Sequence, residues 1–112
     1  MSDYIPTKGH IYILKMCNSN FLTIYKVCKS INFYKRYLEY TRTNYAHIVI
    51  AISSYDIYND KDEIIKLFNQ NCTLDKGRDY FQIIDDDLAL NLFLGYFSNQ
   101  NNRRIETNIH TI

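Results

Sequence analysis

The chain has 112 residues, is 46% hydrophobic and carries a formal charge of +1 from 13 basic and 12 acidic residues. This length suits one domain with a single modest core. No apolar run reaches the length of a membrane span, and residues 1–9 lack the apolar stretch of a secretory leader. We therefore expect a soluble, intracellular protein without a membrane partner.

The three cysteines are Cys17, Cys28 and Cys72, an odd number with no C-x-x-C pair. This pattern favours free thiols in a reducing compartment over a disulfide-bonded secreted fold.

The charges are unevenly distributed along the chain. Residues 1–44 have an excess of five positive charges, whereas residues 45–97 have an excess of five negative charges. A basic first part suits contact with a polyanion. The alternative is that both sets of charges only solvate exposed faces.

Two tyrosine-bearing runs near residues 10–16 and 21–28 predict a β-hairpin, with Asn18-Ser19-Asn20 as its loop. A three-residue loop places His10 opposite Cys28, Tyr12 opposite Lys26 and Leu14 opposite Ile24, all on one face. The other face then carries the better core residues, which are Ile11, Ile13, Tyr25 and Val27.

The next part of the chain predicts a helix, a strand and a second helix. Ser30 is the expected N-cap of a helix over 31–41 with its apolar stripe at Ile31, Tyr34, Tyr37 and Leu38. Residues 45–52 are apolar enough for a central strand buried on both sides. A second helix is expected over 60–71, because Asp60 and Glu63 have the spacing of a capping box.

The remainder predicts a turn, a short strand, a third helix and a polar end. Residues 73–78 contain Gly77 and predict a turn, and residues 79–84 predict a short strand. Asp85 is the expected cap of a mostly apolar helix that ends near residue 97. Acids at a helix start favour the helix dipole, which argues against a metal site at residues 85–87. Residues 98–112 are expected to be a flexible tail or a partner-bound arm.

This order of elements, together with two motifs, resembles the GIY-YIG nuclease superfamily, particularly its branch in phages and large DNA viruses. That branch carries G-x-I-Y-I-L-K and then Y-K-I-G-K-T, and here the stretches are Gly9-His-Ile-Tyr-Ile-Leu-Lys15 and Tyr25-Lys-Val-Cys-Lys-Ser30. The resemblance covers roughly residues 9–97. Arg36 follows at the spacing of the family's arginine, and Asp56 to Glu63 followed by Gly77-Arg-Asp-Tyr-Phe81 resembles its acidic helix and aromatic segment.

The resemblance implies an α+β fold with a small three-stranded antiparallel sheet flanked by helices, in a domain over 1–97. It also implies hydrolysis of DNA phosphodiester bonds with Mg²⁺ or Mn²⁺. By motif position, Tyr12 matches the tyrosine of GIY, and Lys26 stands where other branches of the family have the tyrosine of YIG. Arg36 matches the family's arginine and Glu63 its metal carboxylate. The family's asparagine corresponds to either Asn71 or Asn91.

Two residues depart from the family pattern. Cys28 replaces the glycine of YIG, and Tyr40 stands where some members have a histidine. Either change is compatible with a fold that has lost its activity, so the alternative is a degenerate module that binds nucleic acid or a protein partner.

The expected chemistry assigns one task to each candidate residue. Tyr12 would accept a proton from water, and since a free phenol has a pKa of about 10 it needs a nearby cation such as Lys26. Arg36 would neutralise a phosphate, and Glu63 would hold the metal unless it only caps its helix. His10 and Tyr40 are possible accessory residues, although His10 with Cys28 matches no zinc spacing.

The expected partners follow from the charges and from the absence of a separate DNA-reading domain. Lys29, Lys35 and Arg42 are candidate contacts to DNA phosphates, or else ordinary surface residues. Sequence specificity would need a homodimer or a DNA-reading partner. A further alternative is a plain interaction protein, in which the apolar third helix and residues 98–112 would form a homodimer. A viral protein of this kind would act in the host cytoplasm or nucleus.

Overall fold

The computed structural model describes residues 4–16, 23–42, 46–83, 86–100 and 109–111. The fold is α+β, as the sequence predicts, and its elements follow in the order β1 (Gly9–Met16), β2 (Ile24–Ser30), α1 (Phe33–Thr41), β3 (Ala46–Ser54), α2 (Ile57–Asn71), β4 (Thr73–Lys76), β5 (Tyr80–Gln82), α3 (Asp86–Gln100) and β6 (Ile109–Thr111). Among the described residues, no helix is long and apolar enough to cross a membrane.

One antiparallel sheet runs through the molecule in the order β4-β5-β2-β1-β3-β6. The three predicted strands form its centre, but the expected three-stranded sheet is wrong in extent. The predicted turn over 73–78 contains strand β4, and the predicted tail over 98–112 contains the end of α3 and strand β6. Strand β4 pairs with β5, which pairs with β2, and strand β6 pairs with β3, so the sheet extends beyond both sides of the three central strands. The short sequences of β4 and β6 carry little alternation.

The hairpin register differs from the predicted one by two residues. Tyr12 lies opposite Cys28, Leu14 opposite Lys26 and His10 opposite Ser30. The predicted pairs of Tyr12 with Lys26, His10 with Cys28 and Leu14 with Ile24 are therefore wrong. A two-residue shift keeps every side chain on its predicted face, so the hydrophobic pattern alone does not distinguish the two registers. The predicted Asn18-Ser19-Asn20 loop lies outside the described residues.

Gly9 explains how β1 comes so close to the end of β2. A Cβ atom at this position would collide with the carbonyl oxygen of Ser30 and would lie 2.9 Å from the Cγ2 atom of Ile57. The first residue of the G-x-I-Y motif therefore has a packing role in joining β1, β2 and the start of α2.

The sheet is covered on both faces. On the first face, the buried strand residues pack against α2 and α3, and they include Ile11, Ile13, Tyr25, Val27 and Ile52. On the second face, the strand residues pack against Phe33, Tyr37 and Tyr40 of α1, and they are Tyr12, Leu14, Cys28, Ala46, Ile48 and Ala51. The predicted separation of the two hairpin faces is confirmed.

Helices α1 and α2 begin at residues other than the predicted ones. Ser30 does not cap α1; Asn32 does, and its side chain accepts a hydrogen bond from the backbone N–H of Lys35 at 3.1 Å. Helix α2 begins three residues earlier than predicted, with Asp56 as its cap. Asp60 is instead fully buried within the helix. The predicted cap of α3, Asp85, lies outside the described residues.

Candidate nucleic-acid interface

An open groove of about 350 Å³ lies where the end of β2 and the starts of α1 and α2 meet. Its lining residues are Lys29, Ser30, Ile31, Asn32, Lys35, Arg36, Ile57 and Tyr58. Three of these side chains are cationic, and none of the described residues that line the groove is acidic. The groove therefore concentrates positive charge in a chain whose formal charge is only +1.

Short hydrogen bonds shape the wall between β2 and α1. The Ser30 hydroxyl oxygen accepts from the backbone N–H of Asn32 at 3.1 Å, and Asn32 in turn caps α1. Lys29 at the end of β2 and Lys35 in the first turn of α1 both line the groove. The N-terminal end of a helix also carries a partial positive charge, which adds to that of the lysines.

The cations of the groove differ in how they are held. The Lys29 ammonium lies over the Tyr58 ring, 5.0 Å from its centroid. The Arg36 guanidinium donates to the Glu39 carboxylate at 3.0 Å, and this contact raises the pKa of Arg36 further above its ordinary value. Both side chains of that ion pair are about half exposed, so the pair contributes little to stability.

Tyr12 does not have the surroundings of a general base. Its side chain is 2% exposed, and its ring packs 5.5 Å from Phe33 and 6.2 Å from Tyr40, measured between centroids. Burial is the main cause of a pKa well above that of an ordinary tyrosine, and Cys28 and Tyr40 raise it further. Arg36 opposes this effect only weakly, so the phenol stays protonated at neutral pH.

Lys26 does not supply the cation that was predicted beside Tyr12. It pairs with Leu14 on β1 and with Tyr80 on β5, and its ammonium lies 5.1 Å from the centroid of the Tyr80 ring. The corrected hairpin register is the reason for this difference.

Cys28 and the accessory candidate His10 both lie near Tyr12 on the second face, Cys28 buried and His10 half-buried. Cys28 is 5% exposed, and burial raises the pKa of its thiol to about 11. His10 stacks on Phe33 with the ring centroids 5.0 Å apart. The thiol thus fills the position where the family motif has a glycine.

Glu63 lies away from these residues. It is exposed on α2, pairs with Lys66 at 3.3 Å and lines a second groove of about 500 Å³ between α2 and α3. Asn91 lines the same groove, whereas Asn71 donates from its side chain to the carbonyl oxygen of Leu67. Helix α2 covers the first face of the sheet and Tyr12 belongs to the second, so the structure does not bring Glu63 and Tyr12 together.

The structure does not place Glu63 beside the other residues of the metal centre that the family resemblance implies. Glu63 has a lysine as its paired neighbour, and Arg36 lines the other groove. No group of three or more His, Cys, Asp or Glu side chains in the described part of the chain is arranged to hold a metal ion. The three residues predicted to contact phosphates do not lie together. Lys29 and Lys35 line the groove between β2, α1 and α2, which we call the basic groove, whereas Arg42 is the C-cap of α1.

Sequence reasoning identified the three cations of the groove but missed two of its other residues. Asn32 belongs to the residue types that cap helices, so its role was open to prediction from the sequence. Tyr58 carries no such signal, because one tyrosine among eleven is not distinguished by type or spacing.

Comparison with known proteins adds no further assignment. No family model matches the chain, and neither a curated protein nor a solved structure does. The function is therefore inferred from the arrangement of the chain's own residues.

Proposed function

We propose that this chain is a nucleic-acid-binding module of GIY-YIG-like motif content, and that DNA binds in the groove lined by Lys29, Lys35 and Arg36. The observation that carries the proposal is the convergence of these three cations, without an acidic lining residue, on one open groove. Lysine and arginine side chains supply most of the affinity of non-specific nucleic-acid binding because they displace condensed counterions from the phosphates.

Binding without hydrolysis is favoured over the metal-dependent endonuclease. A hydrolytic centre would need a carboxylate, an arginine and a proton acceptor around one phosphate. Here Glu63 and Arg36 line different grooves, and Tyr12 is buried and protonated. The residues that match the family motifs therefore support a basic binding surface better than they support hydrolysis.

Binding is measured by fluorescence anisotropy with a labelled DNA of mixed sequence, titrated at several salt concentrations in EDTA. We expect a slope of log K against log salt of about −2 to −3, because about three phosphates are neutralised. Lys35→Ala and Arg36→Ala should each weaken binding and reduce the magnitude of that slope by about 1.

Arg78→Ala is the matched control for Arg36→Ala. Arg78 is also exposed and paired with a carboxylate, that of Asp62 at 3.4 Å, but it does not line the groove. Equal losses in the two variants, or no loss in either, would overturn the assignment of the groove.

A plasmid-nicking assay separates binding from hydrolysis. We expect wild-type protein with Mg²⁺ or Mn²⁺ to nick supercoiled plasmid no faster than Glu63→Gln does. Nicking by the wild type that Glu63→Gln abolishes would support the endonuclease instead, and it would require a rearrangement that brings Glu63 towards Arg36.

A further inference from the structure

We propose that the basic groove takes an unpaired strand in preference to a duplex, with a base stacked on Tyr58; this inference rests on the proposed function. The starting observation is the exposure of large apolar side chains at the groove. Tyr58 is 50% exposed and Ile31 is 70% exposed, and both line the groove beside Lys29 and Lys35. Exposed aromatic rings among cations are the combination that proteins use for single strands.

Lys29 lies beside the Tyr58 ring on which we propose that a base stacks. Its ammonium lies over the Tyr58 ring at 5.0 Å from the centroid, while half of the tyrosine side chain remains open to solvent. A base that stacks on the open part of the ring places its own phosphate within reach of a lysine that is already at the same site. One residue pair therefore offers both contacts that a nucleotide needs, a π-face and a cation.

The size of the groove also favours an unpaired strand. Its volume of about 350 Å³ is at the lower end of the range for sites that enclose one small ligand. A duplex keeps its base faces stacked inside the helix and presents only phosphates and groove edges to a protein. A duplex can therefore use the lysines but not the ring of Tyr58, whereas a single strand can use both.

Helix α1, whose first turn contributes Lys35 and Arg36 to the groove, exposes further apolar side chains. Tyr34 is 70% exposed and Leu38 is 37% exposed. The sequence predicts both as part of a buried stripe, but of that stripe within the helix only Tyr37 packs on the sheet, together with Phe33 and Tyr40. The side chains left outside thus form an apolar margin along which a second base can lie.

The first test compares an unstructured labelled oligonucleotide with the duplex that it forms with its complement. We expect the single strand to bind more tightly, and Tyr58→Leu to weaken single-strand binding roughly tenfold with little effect on the duplex. Tyr55→Leu is the matched control. Tyr55 is 55% exposed and also has a lysine over its ring, Lys8 at 5.4 Å, but it does not line the groove.

The second test reports stacking directly. The chain contains no tryptophan, so Tyr58→Trp introduces the only tryptophan, which can be excited selectively over the tyrosines, at the groove, and Tyr55→Trp places it outside the groove. We expect the oligonucleotide to quench the Tyr58→Trp variant alone. Inorganic polyphosphate, which has charge but no bases, should compete for the lysines without that quenching. Circular dichroism and thermal unfolding of each variant verify that the fold is kept.

The outcomes distinguish this inference from the proposed function. Equal binding of strand and duplex, with Tyr58→Leu unchanged from wild type, would overturn strand selectivity and leave nucleic-acid binding in place. Failure of wild-type protein to bind either probe at low salt would overturn both proposals. Strand preference that is lost in Tyr58→Leu and kept in Tyr55→Leu supports the inference.

Discussion

The position of Cys28 shows how far a single residue of a motif can be interpreted from sequence. Its face was predictable, because alternation along β2 separates the residues of the two sheet faces. Its partner was not, because the register depends on a hairpin connection whose length has no unique turn signal. The side chain of Cys28 lies opposite Tyr12 under α1, so this residue belongs to the packing of the second face.

The raised pKa of Cys28 predicts a pH-dependent contribution to stability. Burial raises this pKa from 9.0 to about 11, so the folded state favours the protonated thiol. The contribution is complete below pH 9.0 and is lost as the pH rises towards 11. Cys28→Ala should therefore lose less free energy of unfolding than wild type across this interval, as measured by urea unfolding at both ends of it.

The half-buried Cys72 offers a comparison for Cys28 in the same experiment. Cys72→Ala should leave most of the alkaline loss of stability in place. In addition, alkylation of the native protein followed by peptide mass spectrometry should label Cys28 more slowly than Cys72. Rapid native labelling of Cys28 would contradict its burial.

At the scale of elements, the helices show why periodicity is an incomplete guide. In α1, the predicted stripe is Ile31, Tyr34, Tyr37 and Leu38, whereas the packed residues are Phe33, Tyr37 and Tyr40. Only Tyr37 belongs to both sets, and both sets have helical spacing. Local sequence cannot choose between them, and the choice is made by contact with the second face of the sheet.

Helix α2 poses the same problem for capping, because Asp56 and Asp60 both suit an N-cap. Asp56 takes that role, and Asp60 lies one turn inside, fully buried, as an acceptor for two hydroxyl groups. Ser54 donates to its carboxylate at 2.5 Å and Tyr96 donates at 2.7 Å. Asp60 therefore connects the end of β3, the start of α2 and the last turns of α3.

Removal of the Asp60 carboxylate should be among the more damaging single changes in α2. Asp60→Ala leaves two buried hydroxyls without this acceptor, and we expect a loss of about 2–4 kcal/mol in the free energy of unfolding. Tyr96→Phe removes one donor and should lose about 1–2 kcal/mol. Urea unfolding of both single variants and the double variant gives the coupling energy directly.

Asp62→Ala is the control for Asp60→Ala, because Asp62 is exposed on the same helix. It should change the free energy of unfolding by no more than about 0.5 kcal/mol. A similar small value for Asp60→Ala, or additive effects in the double variant, would show that the buried hydrogen bonds do not hold these elements together.

At the scale of the whole molecule, sequence reasoning was most successful where the strands are long and apolar. Strands β1, β2 and β3 have seven to nine residues each and were predicted, as was the short strand β5. Strands β4 and β6 have four and three residues, and unlike the equally short β5 they do not lie in an apolar run, so neither carries a pattern of its own. Each becomes a strand because the neighbouring strand has unpaired backbone hydrogen-bonding groups at its edge. That edge exists only in the folded protein, so the local sequence does not predict it.

The same limit applies to the candidate site. The cations of the groove were identified by residue type, but their separation from Glu63 depends on which face of the sheet each helix covers. That choice is made by the packing of α1 on one face and of α2 and α3 on the other. A motif therefore identifies candidate residues by type and spacing along the chain. Only the fold determines which of these residues lie close together.

Asp86 connects α3 to the sheet and predicts how the whole molecule responds to acid. Its carboxylate accepts a hydrogen bond from the Tyr25 hydroxyl and pairs with Lys15 at 3.2 Å. The Tyr25 hydrogen bond is the largest cause of a pKa below the ordinary value of 3.8, and burial opposes it. Because the pKa of Asp86 is lower in the folded state, its ionised carboxylate stabilises the fold at pH values above 3.8. This stabilisation is lost as the pH falls through the lower, folded-state pKa.

Asp86→Asn should therefore be less stable than wild type near neutral pH, and the difference should close as the pH falls below 3.8. Tyr25→Phe should reproduce part of this behaviour, because it removes the main hydrogen bond while its ring still fills the buried position. The neighbouring exposed residue gives the control Asp87→Asn, which lacks both contacts. Urea unfolding across the acid range measures all four proteins. A stability difference for Asp86→Asn that stays constant down to the lowest pH would show that its carboxylate acts through packing and not through its charge.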